Sequence, residues 1–173
     1  MKSRYPRDII KWINLILSWE PNARIVLHGV SMGAATVLMA SGEDLPGNVK
    51  AVIADCGYTS EWDEFQREAD ALHIPWFPVL NATSVLSKIR DGYDFKQASA
   101  LAQVKKSRIP TLFIHGSSDE LVPYSMLGEL YAAAACEKEE LTVEGAGHAL
   151  SSSVAPTLYW RTVEDFIAKY LDR

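Results

Sequence analysis

Arg24-Ile25-Val26-Leu27-His28-Gly29-Val30-Ser31-Met32-Gly33-Ala34-Ala35 is the stretch on which the fold turns. Ile25, Val26 and Leu27 form a short apolar run rich in β-branched residues, the signature of a buried strand. Gly29-Val30-Ser31-Met32-Gly33 follows as a G-x-S-x-G pattern, and Ala34, Ala35, Val37, Leu38, Met39 and Ala40 then read as a tightly packed helix. Strand, tight turn and helix around that pattern make a nucleophile elbow, with the serine at the apex in a strained backbone conformation. Gly29 and Gly33 lack a Cβ, so strand and helix are expected to approach closely around Ser31. Its Oγ would stand at a helix N-terminus, where backbone N–H groups face developing negative charge.

Outward from the elbow, strand-like and helix-like segments alternate. Asp8 to Trp19 places Ile9, Ile10, Trp12, Ile13, Ile16 and Leu17 at helical spacing, closed by Pro21-Asn22. Val49 to Ala54, Pro110 to Ile114 and Leu141 to Val143 read as further strands. Ser125 to Cys136 and Thr157 to Leu171 read as helices. Alternation of this kind predicts an α/β fold in three layers, with a short, mostly parallel sheet of about four strands. Thr59 to about Lys106 differs: it holds Trp62, Phe65, Trp76, Phe77, Tyr93 and Phe95 and no clear strand. Short helices are expected there at about 60–72, 82–90 and 96–103, with 73–78 as an irregular apolar connector. An aromatic insertion between two core strands suggests a lid or a pocket wall on a single domain spanning 1–173.

With 173 residues the chain is long enough for one domain with a core. Its net charge of -5 comes without a cationic block, which argues against nucleic acid as a partner. No apolar run approaches the ~18 residues of a membrane span. The first residues have no apolar core like that of a signal peptide, so a cytoplasmic location is the expectation. Cys56 and Cys136 show no metal-ligand spacing and no C-x-x-C, and read as buried free thiols.

A serine hydroxyl needs a base to take its proton and a third group to orient that base. His148 sits in Gly145-Ala146-Gly147-His148, a turn directly after a strand, at the edge of a parallel sheet where sites collect. His28 and His115 each precede a glycine and read as parts of turns, and His73 lies in the insertion. Asp119, in His115-Gly116-Ser117-Ser118-Asp119-Glu120-Leu121-Val122-Pro123, is the candidate acid. Asp55 at the end of the second strand is its main rival and reads as a structural hydrogen-bonding group. Glu120 is a neighbour whose side chain would point elsewhere.

The order Ser31, Asp119, His148 is that of α/β-hydrolases. The chain resembles that superfamily, and within it the bacterial dienelactone-hydrolase and prolyl-oligopeptidase-like groups. The resemblance rests on Val26–Ala34, Asp55–Ser60, Pro110–Asp119, Val122-Pro123 and Gly145–His148, pieces spread along nearly the whole chain. It implies a serine hydrolase acting on esters or similar acyl bonds through an acyl-enzyme, with no metal or organic cofactor. The substrate would be a small-molecule ester or acyl compound, and a peptidase of the prolyl-oligopeptidase type is the alternative.

The resemblance also implies a departure. Family proteins carry strands before the elbow, and here a single helix precedes it, so the chain corresponds to a truncated, C-terminal part of the usual fold. The loop that normally supplies the second oxyanion N–H belongs to the preceding part, which leaves the backbone N–H of Met32 as the one donor that can be placed. The elbow strand then becomes a sheet edge with unpaired backbone groups. A second copy of the chain, the N-terminal helix or a longer parent protein could cover that edge; pairing as a homodimer is the expected consequence. A binding or dimerising module with weak or no catalysis is the competing reading.

Overall fold

The computed structural model describes residues 5–91 and 94–171; Tyr93, one of the aromatics of the insertion, lies outside them. Four strands, β1 (Ile25–Val30), β2 (Val49–Asp55), β3 (Thr111–Gly116) and β4 (Lys138–Val143), form one sheet in the order β1-β2-β3-β4, every pairing parallel. The helices are α1 (Tyr5–Trp19), α2 (Met32–Ser41), α3 (Glu61–Ala71), α4 (Trp76–Asp91), α5 (Ala100–Val104), α6 (Ser125–Ala133), α7 (Ser151–Val154) and α8 (Pro156–Tyr170), with a 3-10 turn at Phe95–Gln97.

The two central strands carry unbroken apolar runs, Ala51–Ala54 and Leu112–Ile114, because both of their faces are covered. Val52, Ala54 and Phe113 point into a cluster with Leu38 of α2, Val104 of α5 and Leu127 and Leu130 of α6. Ala51, Ile53, Leu112 and Ile114, alternating with them, point the other way onto Tyr159, Val163 and Phe166 of α8. Three layers result. Helix α2 is buried nearly all round, from Ala34 to Ser41, with Thr36 half-buried, and this accounts for its almost wholly apolar sequence.

β1 and β4 are the sheet margins. β4 begins three residues earlier than Leu141, its expected start, because Lys138-Glu139-Glu140 can lie on an edge where charged side chains reach water. Lys138 also ends α6 short of Cys136: its Nζ donates to the carbonyls of Tyr131 and Ala134 at 2.6 and 2.9 Å. Cys136 is consequently half-buried, whereas Cys56 is fully buried, and both thiols are free.

Helix α1 does not cover the outer edge of β1. Its Ile13 is buried against Ile25 and Val49, with Ile9 and Leu17 beside it, so it lies over a sheet face. Trp12 and Ile16 of the expected apolar stripe stay exposed, as does Trp19 at the helix end, because the Ile9-Ile13-Leu17 line is the one that meets the sheet.

The 59–106 region is helical, as its lack of strand pattern suggests, with a longer second helix than expected. Trp76 and Pro78 of the connector belong to α4, broken at Phe77, whose backbone is extended (φ -100°, ψ 128°). Its aromatics pack partly on one another: Phe65 against Phe95 at 4.8 Å between ring centroids, and Lys96 Nζ over the Trp62 ring at 4.4 Å. The segment leaves and rejoins the core at one place, an antiparallel bridge between Ser60 and Ser99, flanked by the bonds Glu61 N–H to Ala98 O and Leu101 N–H to Thr59 O.

Candidate active site

Three loops at the carboxyl edge of the sheet meet at one point. After β1 the chain turns at Ser31 with φ 54° and ψ -118°, a left-handed backbone that a non-glycine residue adopts only when its surroundings enforce it. The turn closes because residue 29 is glycine: a Cβ there would overlap the Gly33 carbonyl. Gly33 itself has open space where a Cβ would stand, with nothing within 4 Å, so the close approach expected of both glycines is required only at Gly29. The Ser31 amide donates to the Asp55 carbonyl at 2.8 Å, which anchors the apex to β2.

The loops after β3 and β4 are laced together. Ser117 N–H donates to Val143 O and Ser118 N–H to Ala146 O, both at 3.0 Å, and Gly145 N–H donates to Ser117 Oγ at 2.9 Å. A Cβ on Gly116 would strike the Ala146 carbonyl, so glycine at the end of β3 lets the two loops touch.

This framework brings Ser31, His148 and Asp119 together. His148 Nδ1 lies 2.8 Å from Asp119 Oδ2, and His148 Nε2 lies 2.7 Å from Ser31 Oγ. An ionised carboxylate only accepts, so Nδ1 carries the proton and Nε2 is left to accept from the serine hydroxyl. Asp119 is fixed on its other oxygen as well: Oδ1 accepts the Leu121 and Val122 amides at 3.0 and 2.9 Å. Met32 opens α2, and its amide is among the first four of that helix, which have no intrahelical acceptor.

The remaining candidates lie elsewhere or do other work. Asp55 is buried, which pushes its carboxyl above the ordinary range; Ser151 and Tyr159 donate to it. It therefore ties α7 and α8 to β2. His28 points to the α8 side, 3.0 Å from the Tyr159 hydroxyl, and partial burial lowers its pKa against the opposing pull of Asp55. His73 is exposed at the end of α3, and Glu120 is exposed.

His115 is a close neighbour of this trio that its turn-like sequence context conceals. It is buried, with Nε2 3.0 Å from Val122 O and 3.2 Å from Asp119 Oδ2, so two imidazoles converge on one carboxylate oxygen. The His115-x-x-x-Asp119 spacing is the only trace of this in the sequence. Cys56 is the second such neighbour. Its backbone is left-handed (φ 47°) and its side chain faces the amides of Ser31 and Ala149.

Cys56, Asp119 and His148 are the one trio among the described residues with ligand atoms close enough for a metal, all within 4.8 Å of one another. Burial, reinforced by Asp55, pushes the Cys56 thiol up to about 12, and a metal needs the thiolate. With His148 Nδ1 already bonded to Asp119, the trio suits proton transfer better than ligation.

A sequence profile of the prolyl oligopeptidase family matches residues 1–173, the whole of this chain. The chain belongs to the prolyl oligopeptidase family. The uncharacterized protein YqkD of Bacillus subtilis is 30% identical over 166 residues, covering 94% of this chain and 54% of its own length. The alpha/beta hydrolase domain-containing protein WAV2 of Arabidopsis thaliana is 30% identical over 155 residues, with 86% and 48% covered. This family member thus spans about half the length of those relatives.

Among solved structures, the Pyrococcus horikoshii acylaminoacyl peptidase superposes with a TM-score of 0.72 at 18% identity, over 97% of this chain and 28% of that one. A Pyrococcus furiosus esterase gives 0.71 at 18%, over 95% and 61%. The fold is that of the α/β-hydrolases. No helix among the described residues is long and apolar enough to cross a membrane.

Proposed function

We propose that this chain carries the nucleophile, base and acid of a serine hydrolase that cleaves carboxylic ester or related acyl bonds. The observation behind this reading is the 2.7 Å contact between Ser31 Oγ and His148 Nε2, with Asp119 held on the far side of the imidazole. Ser31 Oγ attacks the acyl carbon while His148 Nε2 takes its proton. Asp119 orients the imidazole and stabilises the imidazolium. The Met32 N–H, at the positive end of α2, meets the oxyanion. Collapse of the tetrahedral intermediate expels the alcohol, which receives the proton from His148. Water, activated by the same imidazole, then releases the acid and restores Ser31. No metal or organic cofactor enters these steps. The segment between Ser60 and Ser99 acts as a lid-like wall of the acyl or alcohol pocket.

A carboxylesterase acting on small or medium substrates is the preferred form of this activity. A peptidase of the prolyl-oligopeptidase type is the second form, favoured by the family and by the name of one structural relative. The Met32 N–H supplies one oxyanion donor, and a single such donor is typically worth about 10²–10³ in turnover.

A fluorophosphonate probe tests the nucleophile without needing the substrate. It is expected to label the chain at Ser31, to label Ser31→Ala not at all and to label His148→Ala weakly. Well-folded protein that does not label would remove the enzyme reading in favour of a binding or dimerising module.

The outer edge of β1 is proposed to pair with a second copy. Among the described residues β1 pairs with β2 alone, Val30 is exposed on it, and the exposed Trp160 stands against His28 beside it. Sedimentation velocity at micromolar concentration should then give a dimer. A monomer at that concentration would end the proposal.

A further inference from the structure

His115 is buried near the end of β3, and no step of the acyl transfer described above uses it. Its Nε2 faces two acceptors, the Val122 carbonyl at 3.0 Å and Asp119 Oδ2 at 3.2 Å. Neither can donate, so Nε2 carries a proton and presents it to both. Val122 closes the other half of the loop, its amide donating to Asp119 Oδ1 at 2.9 Å. The Tyr124 ring meets the imidazole edge-on, with 6.0 Å between centroids and 88° between planes. Burying an imidazole costs more than burying an aliphatic side chain of similar size, so its N–H has to account for its place.

The Asp119 carboxylate has no exposed surface, so protein N–H groups stand where water would. Oδ1 takes the Leu121 and Val122 amides. Oδ2 takes His148 Nδ1 at 2.8 Å and has the His115 N–H beside it. Charge on that oxygen is therefore shared between two imidazoles. An N–H directed at a carboxylate favours its charged form, and what it stabilises is no longer offered in full to the other partner.

We propose that His115 is a positioning residue that acts through Asp119. It holds Oδ2 in line with His148 Nδ1 and draws off part of the carboxylate's charge, so that His148 stands free as the base at lower pH. The proposal rests on the serine-hydrolase reading above and adds a residue to it. Without the His115 N–H, Oδ2 would face His148 alone and hold its imidazolium more firmly, and the free base would be reached only at higher pH. Cys56 after β2 and Glu64 of α3 also face His148. Asp55 of β2 and Tyr124 before α6 face His115, and Arg67 of α3 donates to the Leu121 carbonyl of the same loop. All of these are present in every variant at position 115, so comparing such variants isolates the imidazole N–H.

The rate of fluorophosphonate labelling at Ser31, followed over about pH 5 to 9, reads the free base without needing the substrate. It is compared in the parent chain, His115→Met and His115→Gln. Methionine keeps much of the size and has no N–H. Glutamine carries an NH2 that can donate to both Val122 O and Asp119 Oδ2. The midpoint of the profile is expected to rise by about 0.5–1 pH unit in His115→Met, with labelling below the midpoint slowed about 3- to 10-fold. In His115→Gln it should return to the parent's value. His115→Leu replaces His115→Met if methionine is not accommodated. Labelling slowed by one factor at every pH, with the midpoint unmoved, would mean that His115 only packs the loop and would overturn the proposal. A midpoint that falls, or a folded His115→Gln protein with the raised midpoint, overturns it too. In each of these cases labelling of the parent leaves the hydrolase reading intact. A parent chain that does not label overturns both.

Discussion

Ser31→Ala should lower kcat on an activated p-nitrophenyl ester by about 10⁴- to 10⁶-fold, the range seen when a serine nucleophile acting in concert with a histidine is removed. The residual rate would come from binding and the Met32 amide. The same substitution should hardly touch stability. Ser31 caps α2 with no side-chain bond, and among the described residues its hydroxyl bonds to His148 alone. Alanine and serine also tolerate the φ of 54° about equally poorly, so the backbone strain stays. A shift in unfolding free energy within about 0.5 kcal/mol is expected, measured by urea titration. A large fall in stability together with loss of activity would mean that the hydroxyl supports the turn, and the assignment of Ser31 as nucleophile would fail.

Asp119→Asn should cost about 10⁴-fold in kcat, through the tautomer of its neighbour. The asparagine can place its carbonyl where Oδ1 now accepts the Leu121 and Val122 amides. Its NH2 then stands where Oδ2 accepted from His148 and contacted His115. Two N–H donors would face a donor. The simplest escape turns His148 into the other tautomer, with Nδ1 accepting and Nε2 protonated. Nε2 then has no lone pair for the Ser31 hydroxyl. Stability should fall by about 1–3 kcal/mol, because a buried polar contact is replaced by a mismatch. Stopped-flow hydrolysis combined with a denaturant titration measures both effects. A loss of less than about tenfold in kcat would show that Asp119 does not set the imidazole's tautomer.

Much of this architecture was legible in the chain itself. Ala51–Ala54 of β2 and Leu112–Ile114 of β3 are unbroken apolar runs because both faces are buried, and Ala34 to Ala40 are almost all apolar because α2 has almost no free side. The three polar residues that meet at the sheet edge each follow a strand, so their spacing along the chain already pointed to one rim. What stayed hidden depends on contacts between distant segments. His115 looked like part of a turn because Gly116 follows it, but that glycine serves the Ala146 carbonyl, while the imidazole turns inward to Asp119. The first half of β4 is silent in the sequence because its charged residues lack apolar pattern, which an edge strand does not need. The Ile9-Ile13-Leu17 line of α1 could not be told from its Trp12-Ile16-Trp19 line by periodicity, since both recur at helical spacing.

The bridge between Ser60 and Ser99 has an evolutionary consequence. Everything between those two residues is a loop whose ends are already held together by the core. Lengthening such a loop costs only slowly growing closure entropy, about 0.6 kcal/mol per doubling. Whole helices can therefore be gained, lost or exchanged there while the strands that carry Ser31, Asp119 and His148 keep their register. A lineage built on this plan could change its diet without reinventing its chemistry.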